Sequence, residues 1–579
     1  ACIAAARLAH AYRDRFHKDF MIDLIGYRRW GHNEGDDPSL TQPTMYARIA
    51  THPTVRELWA AELVRRGVVT EADVAAVLAN YTKELQAALA EIQAQATRSQ
   101  GTPTESTAAP PATAPPTETT AAPPDTAPPV ERAPAAAPVD VPAVSLATLA
   151  DLNAALTALP PGFTPHPRLE RLILNPRREV FLPDADGRPR MIDWGHAELL
   201  AFATILADGT PIRLTGQDTE RGTFSQRHAV LHDYTTGEPY IALQTLSAAK
   251  ASFEVRDSPL SETAAVGFEY GYSVQAPDAF VLWEAQYGDF INGAQVIVDQ
   301  FIVSARAKWG QLPSLVLLLP HAYEGQGPEH SSGRLERFLE LAAEGNIRVA
   351  ACTTAAQYFH LLRRQAASLA HDARPLIIMT PKSLLRHPLA TSPPAALEDE
   401  AGFLPVLDDP FFAAAPRDTV RRAILCTGKV YVDLASDARR GQTPGLTLIR
   451  VEELYPFPAQ ELKATLDTYP ALREVFWTQE EPRNMGAWTF VQTRIEAIVH
   501  QLPGLQGSSG AGVDLQYVGR GERASPAEGS PGRHAAEQAR IIDAVYAGLA
   551  PTGKPGADEV GAIATQVAAA AARTGSGGD

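Results

Sequence analysis

The sequence predicts an α/β fold of parallel sheets flanked by helices, interrupted by a disordered tether rich in Pro, Ala and Thr. Short apolar runs such as PIRLTG, SLVLLLP and PLIIMTP alternate with helical patterns, as strands covered on both faces do. Two clusters of His, carboxylates and Gly, at residues 27–46 and 321–332, each follow an apolar run. Because open α/β sheets bind ligands at the carboxyl ends of their strands, we expect one site assembled from two sheets.

Composition excludes several classes of protein. The chain has 579 residues, 45% of them apolar and 20% charged, which is ordinary for a globular protein. A net charge of −16 argues against nucleic acid as a partner. No apolar run approaches the roughly 20 residues that cross a bilayer. The three cysteines, Cys2, Cys352 and Cys426, form no disulfide or metal pattern, which fits a reducing compartment.

The first predicted region, residues 1–95, opens with an amphipathic helix and no initiating Met. We therefore expect that an upstream part of a larger protein is missing. A buried strand at residues 20–27 and the polar loop should follow. Two helices come next, each with a capped start: Thr54 pairs with Glu57, and Thr70 with Asp73. Residues 96–144 are the predicted tether, whose composition cannot offset its ordering entropy.

Two further α/β regions are predicted, at residues 145–417 and 418–550. The first contains the apolar runs PIRLTG, AFVLWEAQ, SLVLLLP, IRVAACTT and PLIIMTP. The second repeats the pattern with RAILCTG, LTLIRVEEL, EVFWTQEEP and YVGR, and closes with the helical segment EQARIIDAVYAGLA. Residues 551–579 are expected to be a flexible tail.

Each polar motif also has an ordinary structural interpretation. The residues His32, Asn33, Glu34, Asp36 and Asp37 fit a solvated loop with Asx turns as well as an anion site. The pentapeptide SPLSE, residues 258–262, fits a helix start with Ser258 as the cap and Pro in the first turn.

Two more motifs leave similar alternatives open. The aromatics Tyr287 and Phe290 of WEAQYGDFINGAQ fit a hydrophobic core as well as a platform for a cofactor. The segment TGQDTERGTFSQRH, residues 215–228, is too polar to be buried without a ligand or a partner chain.

The order of these motifs is more specific than any one of them. The chain resembles the thiamine-diphosphate-dependent decarboxylase component of 2-oxoglutarate dehydrogenase, which has a transketolase-like fold. The resemblance covers nearly everything outside the tether and the last thirty or so residues. It rests on YRRWGHNEGDDPSLTQPTMY, IDWGHAELLAFATIL, RLTGQDTERGTFSQRHAVLHD, DSPLSETAAVGFEYGYS, WEAQYGDFINGAQVIVDQFI, LPHAYEGQGPEHSSGRLERFL, TTAAQYFHLLRRQ, PLIIMTPKSLLRHP, RVEELYPFP and WTQEEPRNMGAW.

The resemblance implies roles for particular residues. Glu262 would be the carboxylate that shares a proton with the aminopyrimidine ring of the cofactor and so activates it. Phe290 would stack on that ring, and His32 would approach the diphosphate. His321 and, as a second candidate, His330 would bind the substrate carboxylates or move protons. The cofactor would lie between the diphosphate-binding domain of one subunit, whose carboxyl-terminal remnant is residues 1–95, and the pyrimidine-binding domain of its partner, residues 145–417.

The implied reaction is oxidative decarboxylation of 2-oxoglutarate in the tricarboxylic acid cycle. The succinyl group would pass to a lipoyl group of the acyltransferase component, and dihydrolipoamide dehydrogenase would complete the complex. A homodimer is implied, in the bacterial cytoplasm or, in a eukaryote, the mitochondrial matrix. Two alternatives remain: a 2-oxoadipate dehydrogenase, because one methylene is a small difference, and a non-catalytic scaffold that keeps the fold.

Three departures from the family pattern follow from the resemblance. The motif that holds the diphosphate and Mg²⁺ is absent, and its metal ligands are expected upstream of Ala1. The fragment alone should therefore neither bind the cofactor tightly nor turn over. The tether is longer than expected, and Ala322 stands where the family has Gly, which would alter the flexibility of that loop.

Overall fold

The computed structural model describes residues 2–32, 36–99, 139, 141–413, 416–502 and 515–549. The predicted tether and tail lie almost wholly outside these ranges. The chain divides into two compact units, residues 1–131 (unit 1) and 132–579 (unit 2). The finer domain boundaries drawn from the sequence remain predictions.

Unit 1 is helical in the part that the structure describes. Its helices are α1 (Cys2–Phe16), α2 (Pro43–Thr51), α3 (Val55–Arg65) and α4 (Glu71–Ser99), with a 3₁₀ turn at Pro38–Leu40. Both predicted caps are confirmed. The Thr54 hydroxyl accepts a hydrogen bond from the backbone N–H of Glu57, and the Glu57 carboxylate accepts one from the backbone N–H of Thr54, which is a capping box. Thr70 and Asp73 do the same at the start of α4.

The strand predicted at residues 20–27 is wrong. These residues have neither helix nor strand, and Met21 and Ile25 are 89% and 87% exposed. A strand needs a neighbour to accept and donate its backbone hydrogen bonds. Unit 1 has no other strand among its described residues, so this apolar run has nothing to pair with.

Unit 2 carries the remaining helices, which cover both faces of its sheets. The α-helices are α5 (Leu146–Thr157), α6 (Pro167–Leu169), α7 (Asn175–Glu179), α8 (Trp194–Asp208), α9 (Ala242–Thr245), α10 (Glu262–Gln275), α11 (Gln295–Ile297), α12 (Ala305–Trp309), α13 (Leu335–Glu340), α14 (Ala355–Ala367), α15 (Lys429–Ala435), α16 (Ala459–Asp467), α17 (Trp488–Val499) and α18 (Pro531–Tyr546). Helix α18 confirms the predicted closing helix. A 3₁₀ helix at Gly288–Ala294 belongs to the candidate site.

Seven strands form the larger sheet of unit 2, in the order β12-β7-β8-β6-β5-β1-β4. All neighbours are parallel except β12, which runs antiparallel to β7. The five apolar runs of residues 145–417 are confirmed as strands. The bounds are β1 (Ile212–Gly216), β4 (Phe253–Asp257), β5 (Phe280–Glu284), β6 (Val316–Pro320), β7 (Arg348–Ala350), β8 (Leu376–Thr380) and β12 (Glu453–Tyr455).

The smaller sheet has five strands in the order β14-β13-β10-β11-β9, and only β9 is antiparallel to its neighbour. Its bounds are β9 (Val406–Leu407), β10 (Arg422–Cys426), β11 (Leu446–Val451), β13 (Glu474–Pro482) and β14 (Gln516–Arg520). A separate hairpin pairs β2 (Leu231–His232) with β3 (Pro239–Tyr240). The predicted α/β class, with mostly parallel sheets between helices, is confirmed.

The two sheets of unit 2 share one hydrophobic core. Leu317 and Val349 of the larger sheet and Ile449 and Trp477 of the smaller sheet belong to the same buried cluster. Directly after β11 the chain crosses to the larger sheet, where β12 becomes its edge strand. This shared core fixes the two sheets against each other, so side chains from both can form one site.

Among the residues that the structure describes, no helix combines the length and the apolar character needed to cross a bilayer. Cys352 and Cys426 are buried, whereas Cys2 is exposed.

Candidate active site

The common direction of the parallel strands brings the sequence motifs to one edge of the larger sheet. SPLSE follows β4, TGQDTERG follows β1, AQYGDF follows β5, HAYEGQG follows β6, and PKSLL follows β8. These strands are parallel neighbours, so their carboxyl ends lie side by side. The prediction that polar clusters follow buried strands is confirmed for this sheet.

Glu262 is the first residue of α10, and the local interpretation of SPLSE needs correcting. The cap position is Ser261, not Ser258. The backbone N–H of Ser258 still donates to the carbonyl of Gly216 at 2.6 Å, so the chain continues the strand ladder there. The helix therefore begins one turn later than predicted, and it places a carboxylate at its positive end.

The Glu262 carboxylate is half-buried beside the 3₁₀ helix at Gly288–Ala294. Its Oε2 lies 3.4 Å from the point where a side chain on Gly293 would begin. The hydroxyl of the next residue, Thr263, donates to the carbonyl of Gly293 and ties the two elements together. Within the described residues this carboxylate has no hydrogen-bond or ion-pair partner. It is therefore free to accept a proton or a hydrogen bond from a ligand.

Phe290 sits in the same 3₁₀ helix and belongs to an aromatic cluster. The ring of His330 lies edge-on to Tyr287 at 4.4 Å and to Phe290 at 5.9 Å, between ring centroids. All three side chains are half-buried. No described residue bonds the ring nitrogens of His330. The cluster thus places two aromatic rings next to an imidazole whose nitrogens have no partner among the described residues.

His321 is held differently, because both of its ring nitrogens are occupied. The backbone N–H of Gly333 donates to Nδ1 at 3.0 Å, and Nε2 lies 2.9 Å from a carboxylate oxygen of Glu481. Burial opposes the charge on this ring, but the hydrogen bond and charge of Glu481, together with the charges of Glu480 and Glu336, outweigh burial and raise the pKa of His321. Burial likewise opposes the charge on Glu481, yet the hydrogen bond from His321 lowers the pKa of that carboxyl.

Two buried charged groups flank these rings. Lys382, after β8, donates to the side chain of Gln326 at 2.7 Å and to the carbonyl of His330. Burial lowers the pKa of its ammonium group. Asp289 accepts the N–H of Ser332 at 3.2 Å, while its second oxygen has no partner among the described residues. Burial raises the pKa of Asp289.

Glycines let the loops at this edge approach closely. A side chain on Gly288 would begin 2.6 Å from the carbonyl oxygen of Pro320 and 2.8 Å from the Cα of Gly333. The loop of Phe290 and the loop of His321 therefore touch backbone to backbone. Ala322, where the sequence suggested altered flexibility, does not have a positive φ, so its methyl group introduces no backbone strain.

Residues 215–228 are buried only in part, and their buried polar groups have partners inside the chain, so the expectation that burial needs a ligand or a partner chain is wrong. Arg227 is 1% exposed and lies between two buried carboxylates. Its guanidinium donates to Glu284 at 2.7 Å and to Glu198 at 3.1 Å. Tyr358 donates to Glu198 at 2.6 Å. The network ties the segment to α8, α14 and the end of β5.

His32 lies in unit 1, and its ring is exposed with no described partner. Its backbone N–H donates to the Asp36 carboxylate at 2.8 Å, and the Asp37 carboxylate accepts the Ser39 N–H at 3.2 Å in an Asx turn. Arg28 donates to the carbonyl of His32, and Arg29 to that of His52. The solvated-loop interpretation thus describes the local geometry, and a contact of His32 with a diphosphate stays a prediction.

Sequence reasoning missed several of the groups that shape the site. Glu481, Asp289 and Lys382 each stand in a motif of the family, but the sequence alone assigned none of them a role. Asp289 and Lys382 follow buried strands directly, which is a usable signal. Glu481 lies 160 residues from its partner His321, on the other sheet, so no local pattern could pair them.

Comparisons with known proteins identify the class to which this fold and site belong. Residues 190–388, which contain Glu262, Phe290, His321 and His330, match the transketolase pyrimidine-binding domain. Residues 1–100 match the dehydrogenase E1 component, and residues 391–546 the 2-oxoglutarate dehydrogenase C-terminal domain. The chain is therefore of the transketolase-like class, whose members use thiamine diphosphate.

Similarity to individual proteins narrows this class to one family. The chain is 51% identical over 544 residues to the 2-oxoglutarate dehydrogenase E1 component of Geobacillus kaustophilus (strain HTA426), covering 94% of this chain and 53% of that protein. With the same coverage, it is 50% identical to that of Geobacillus sp. (strain WCH70) and 47% to that of Exiguobacterium sp. (strain ATCC BAA-1283 / AT1b). The chain belongs to the 2-oxoglutarate dehydrogenase E1 family. It spans about half the length of the curated relatives it matches.

Proposed function

We propose that this chain is part of an enzyme that oxidatively decarboxylates 2-oxoglutarate and transfers the succinyl group to a lipoyl group. The observation that carries the proposal is the unpaired carboxylate of Glu262 beside the 3₁₀ helix of Phe290. Two relatives that are 51% and 50% identical to this chain over 544 residues are named for the same dehydrogenase. A scaffold would have no use for a free carboxylate and a free imidazole at one sheet edge.

The residues present fit the pyrimidine half of thiamine diphosphate. Glu262 offers a carboxylate without a partner among the described residues, and Phe290 offers an aromatic ring on the 3₁₀ helix that Glu262 contacts at Gly293. The bound cofactor supplies a carbon nucleophile for 2-oxo acids. Glu262 would hold a proton against a ring nitrogen, and Phe290 would fix the plane of that ring and exclude water.

His330 suits contact with the substrate better than His321 does. Its ring nitrogens are free within the described residues, whereas both nitrogens of His321 are engaged. We assign to His330 the binding of a substrate carboxylate and to His321 the storage of a proton. The buried ammonium of Lys382, which bonds the carbonyl of His330, adds positive charge behind this ring.

No magnesium ligand is assigned in this chain. Within the described residues, no three His, Cys, Asp or Glu side chains lie close enough together to hold a metal ion. Thiamine diphosphate needs Mg²⁺ for its diphosphate, so we place that ion on residues other than these. His32 remains our candidate for the diphosphate.

A homodimer and a multienzyme complex complete the proposal. Phe268 lies on α10, the helix that Glu262 begins, and is 57% exposed. Val296 lies on the nearby helix α11 and is 56% exposed. Exposed apolar side chains next to a site suit a second subunit. We propose the lipoyl domain of the succinyltransferase component and dihydrolipoamide dehydrogenase as further partners. The relatives are bacterial, which suggests the bacterial cytoplasm.

Assaying the full-length protein with 2-oxoglutarate and with 2-oxoadipate tests the substrate. We expect kcat/KM to favour 2-oxoglutarate. A preference for 2-oxoadipate would make the chain part of the homologous dehydrogenase instead.

Calorimetry of the same protein with thiamine diphosphate and Mg²⁺ distinguishes an enzyme that binds the cofactor from a scaffold that does not. Saturable binding supports the enzyme. If the cofactor does not bind and neither acid is decarboxylated, the scaffold replaces our proposal.

A further inference from the structure

The hydrogen bonds of the His321 ring define its tautomer. The backbone N–H of His321 donates to the carbonyl of Thr380 at 2.8 Å, which fixes the residue at the end of the sheet. The N–H of Gly333 points at Nδ1, so Nδ1 presents a lone pair and the hydrogen of the neutral ring is on Nε2. That hydrogen then lies in the 2.9 Å bond to Glu481.

Glu481 reaches this ring from the smaller sheet, near the end of β13. Its side chain is 6% exposed, and that of His321 is 11% exposed. Within the described residues, His321 is the only cationic side chain whose nitrogen lies within 4.0 Å of this carboxylate. A buried carboxylate with no other close cation strongly favours the protonated form of a histidine beside it.

Other charged groups surround the pair, and their effects must be weighed. Glu480 on the same strand and Glu336 on α13 add negative charge and also raise the pKa of His321. The buried carboxyl of Asp289 faces the ring as well. Cations also stand near these carboxylates: Lys429 lies 2.7 Å from Glu480, Arg334 lies 3.8 Å from Glu336, and Arg520, which lowers the pKa of Glu481, bonds Glu528 at 2.7 Å. The net effect of burial and of these charges is to raise the pKa of His321, which makes its neutral ring more basic.

We propose that Glu481 is a positioning residue that makes His321 a basic proton acceptor at Nδ1. When a proton reaches Nδ1, an N–H bond forms there, the hydrogen bond from Gly333 breaks, and the original hydrogen stays on Nε2. The carboxylate of Glu481 remains ionised and stabilises the cation, as a carboxylate does for histidine in hydrolase triads. The role in turnover rests on the proposed function, whereas the pairing itself does not.

The pairing can be tested on the chain itself without any assay of turnover. Exchange of the imidazole C2 hydrogen for deuterium, followed by mass spectrometry of peptides over a pH series, gives the pKa of each histidine. We expect the pKa of His321 to lie above the ordinary histidine value of about 6.5. A pKa of His321 below that value would overturn the proposal without any variant.

Substitution of Glu481 then separates charge from packing. Glu481→Gln keeps an oxygen acceptor but removes the charge, so the pKa of His321 should fall by about one to three units. Glu481→Asp keeps the charge and should lower the pKa less. Glu474→Gln, on the same strand but bonded to Arg422, is the matched control and should leave it unchanged. An unchanged pKa in folded Glu481→Gln refutes the proposal.

Kinetics of the full-length protein complete the test. In Glu481→Gln the acid limb of the pH profile of kcat/KM should move to lower pH, by as many pH units as the pKa of His321 falls. If the pKa moves but the wild-type protein decarboxylates neither acid, the pairing stands and the proposed function fails. If the protein is active and its profile does not move, the function stands and the role of Glu481 in turnover fails.

Discussion

Among single residues, Glu262 has the environment that is easiest to test. Glu262→Gln keeps the size of the side chain and removes its ability to hold a proton. Because the carboxylate has no partner in the described structure, stability should change by no more than about 1 kcal/mol, the value of a charge at a helix start. Activity of the full-length protein with 2-oxoglutarate should fall by about 10² to 10⁴. Thermal unfolding and steady-state kinetics measure the two effects.

Glu461 provides a matched control for this substitution. It also lies in the first turn of a helix, α16, and is exposed on the smaller-sheet side of unit 2. Glu461→Gln should cost a similar small amount of stability and leave kcat unchanged. Near-normal turnover of Glu262→Gln would show that another group activates the cofactor.

Resemblance to the family led us to propose Glu262, Phe290 and His330, because each stands in a recognisable motif. It ranked His321 above His330 for the substrate, and our proposal reverses that order. The reason is a pair of hydrogen bonds from Gly333 and to Glu481. Such bonds depend on the packing of two sheets and leave no local pattern.

At the scale of elements, the contact between two loops depends on Gly288. Gly288→Ala places a methyl group within 2.6 Å of the Pro320 carbonyl, so one loop must move. We expect a loss of stability of about 1–3 kcal/mol, as overpacking causes, together with reduced activity. Urea unfolding and the decarboxylation assay measure both.

Gly532 in α18 is the matched glycine control. It is exposed, and no atom lies within 4 Å of the added carbon. Gly532→Ala should raise stability by a few tenths to about 1 kcal/mol, because alanine favours the helix. A Gly288→Ala variant as stable and active as wild type would show that the loops move apart freely.

The buried network of Arg227 joins three elements. Arg227→Met leaves Glu198 and Glu284 buried without their cation, which should cost about 3–5 kcal/mol of stability. Arg256, on β4, is 67% exposed, and Arg256→Met should change stability by less than about 0.5 kcal/mol. Equal urea midpoints for the two variants would mean that the network adds nothing to stability.

The sequence predicted the inner strands of both sheets of unit 2 because each is a short apolar run that is largely buried. It gave no strand for β4, an edge strand in which only Phe253 and Val255 are buried. The same signal failed at residues 20–27, because the described part of unit 1 holds no strand with which this run could pair. Apolar composition reports the tendency to be buried in a sheet, whereas a strand also needs a partner. The start of α10 was misplaced because Ser258 and Ser261 are equally good caps in the sequence, and only the ladder contact of Ser258 separates them.

For the whole molecule, two buried histidines predict loss of stability in acid. Burial, followed by the charge of Arg177, lowers the pKa of His196 well below its usual value and that of His228 to about 3. Below pH 6.5 the unfolded chain binds protons that the folded chain does not. Each histidine should therefore reduce stability by about 1.4 kcal/mol per pH unit as the pH falls from about 6.5. For His228 this loss ends near pH 3, where the folded state is protonated too.

Substitution isolates the contribution of one ring. Between pH 7 and pH 5, His228→Gln should lose about 2 kcal/mol less stability than wild type does. His371→Gln, at an exposed position, should keep the wild-type dependence. Urea unfolding followed by tryptophan fluorescence at the two pH values measures the difference. Identical slopes in wild type and His228→Gln would mean that His228 is protonated in the folded state.

The distribution of cysteines has a practical consequence. Burial raises the pKa of the Cys352 thiol well above its usual value and that of Cys426 to about 12, so neither forms a reactive thiolate near neutral pH. Cys2 is exposed, on the first helix of unit 1. A maleimide dye or spin probe should therefore attach to unit 1 alone, and the wild-type chain already carries a selective reporter for following that unit in solution.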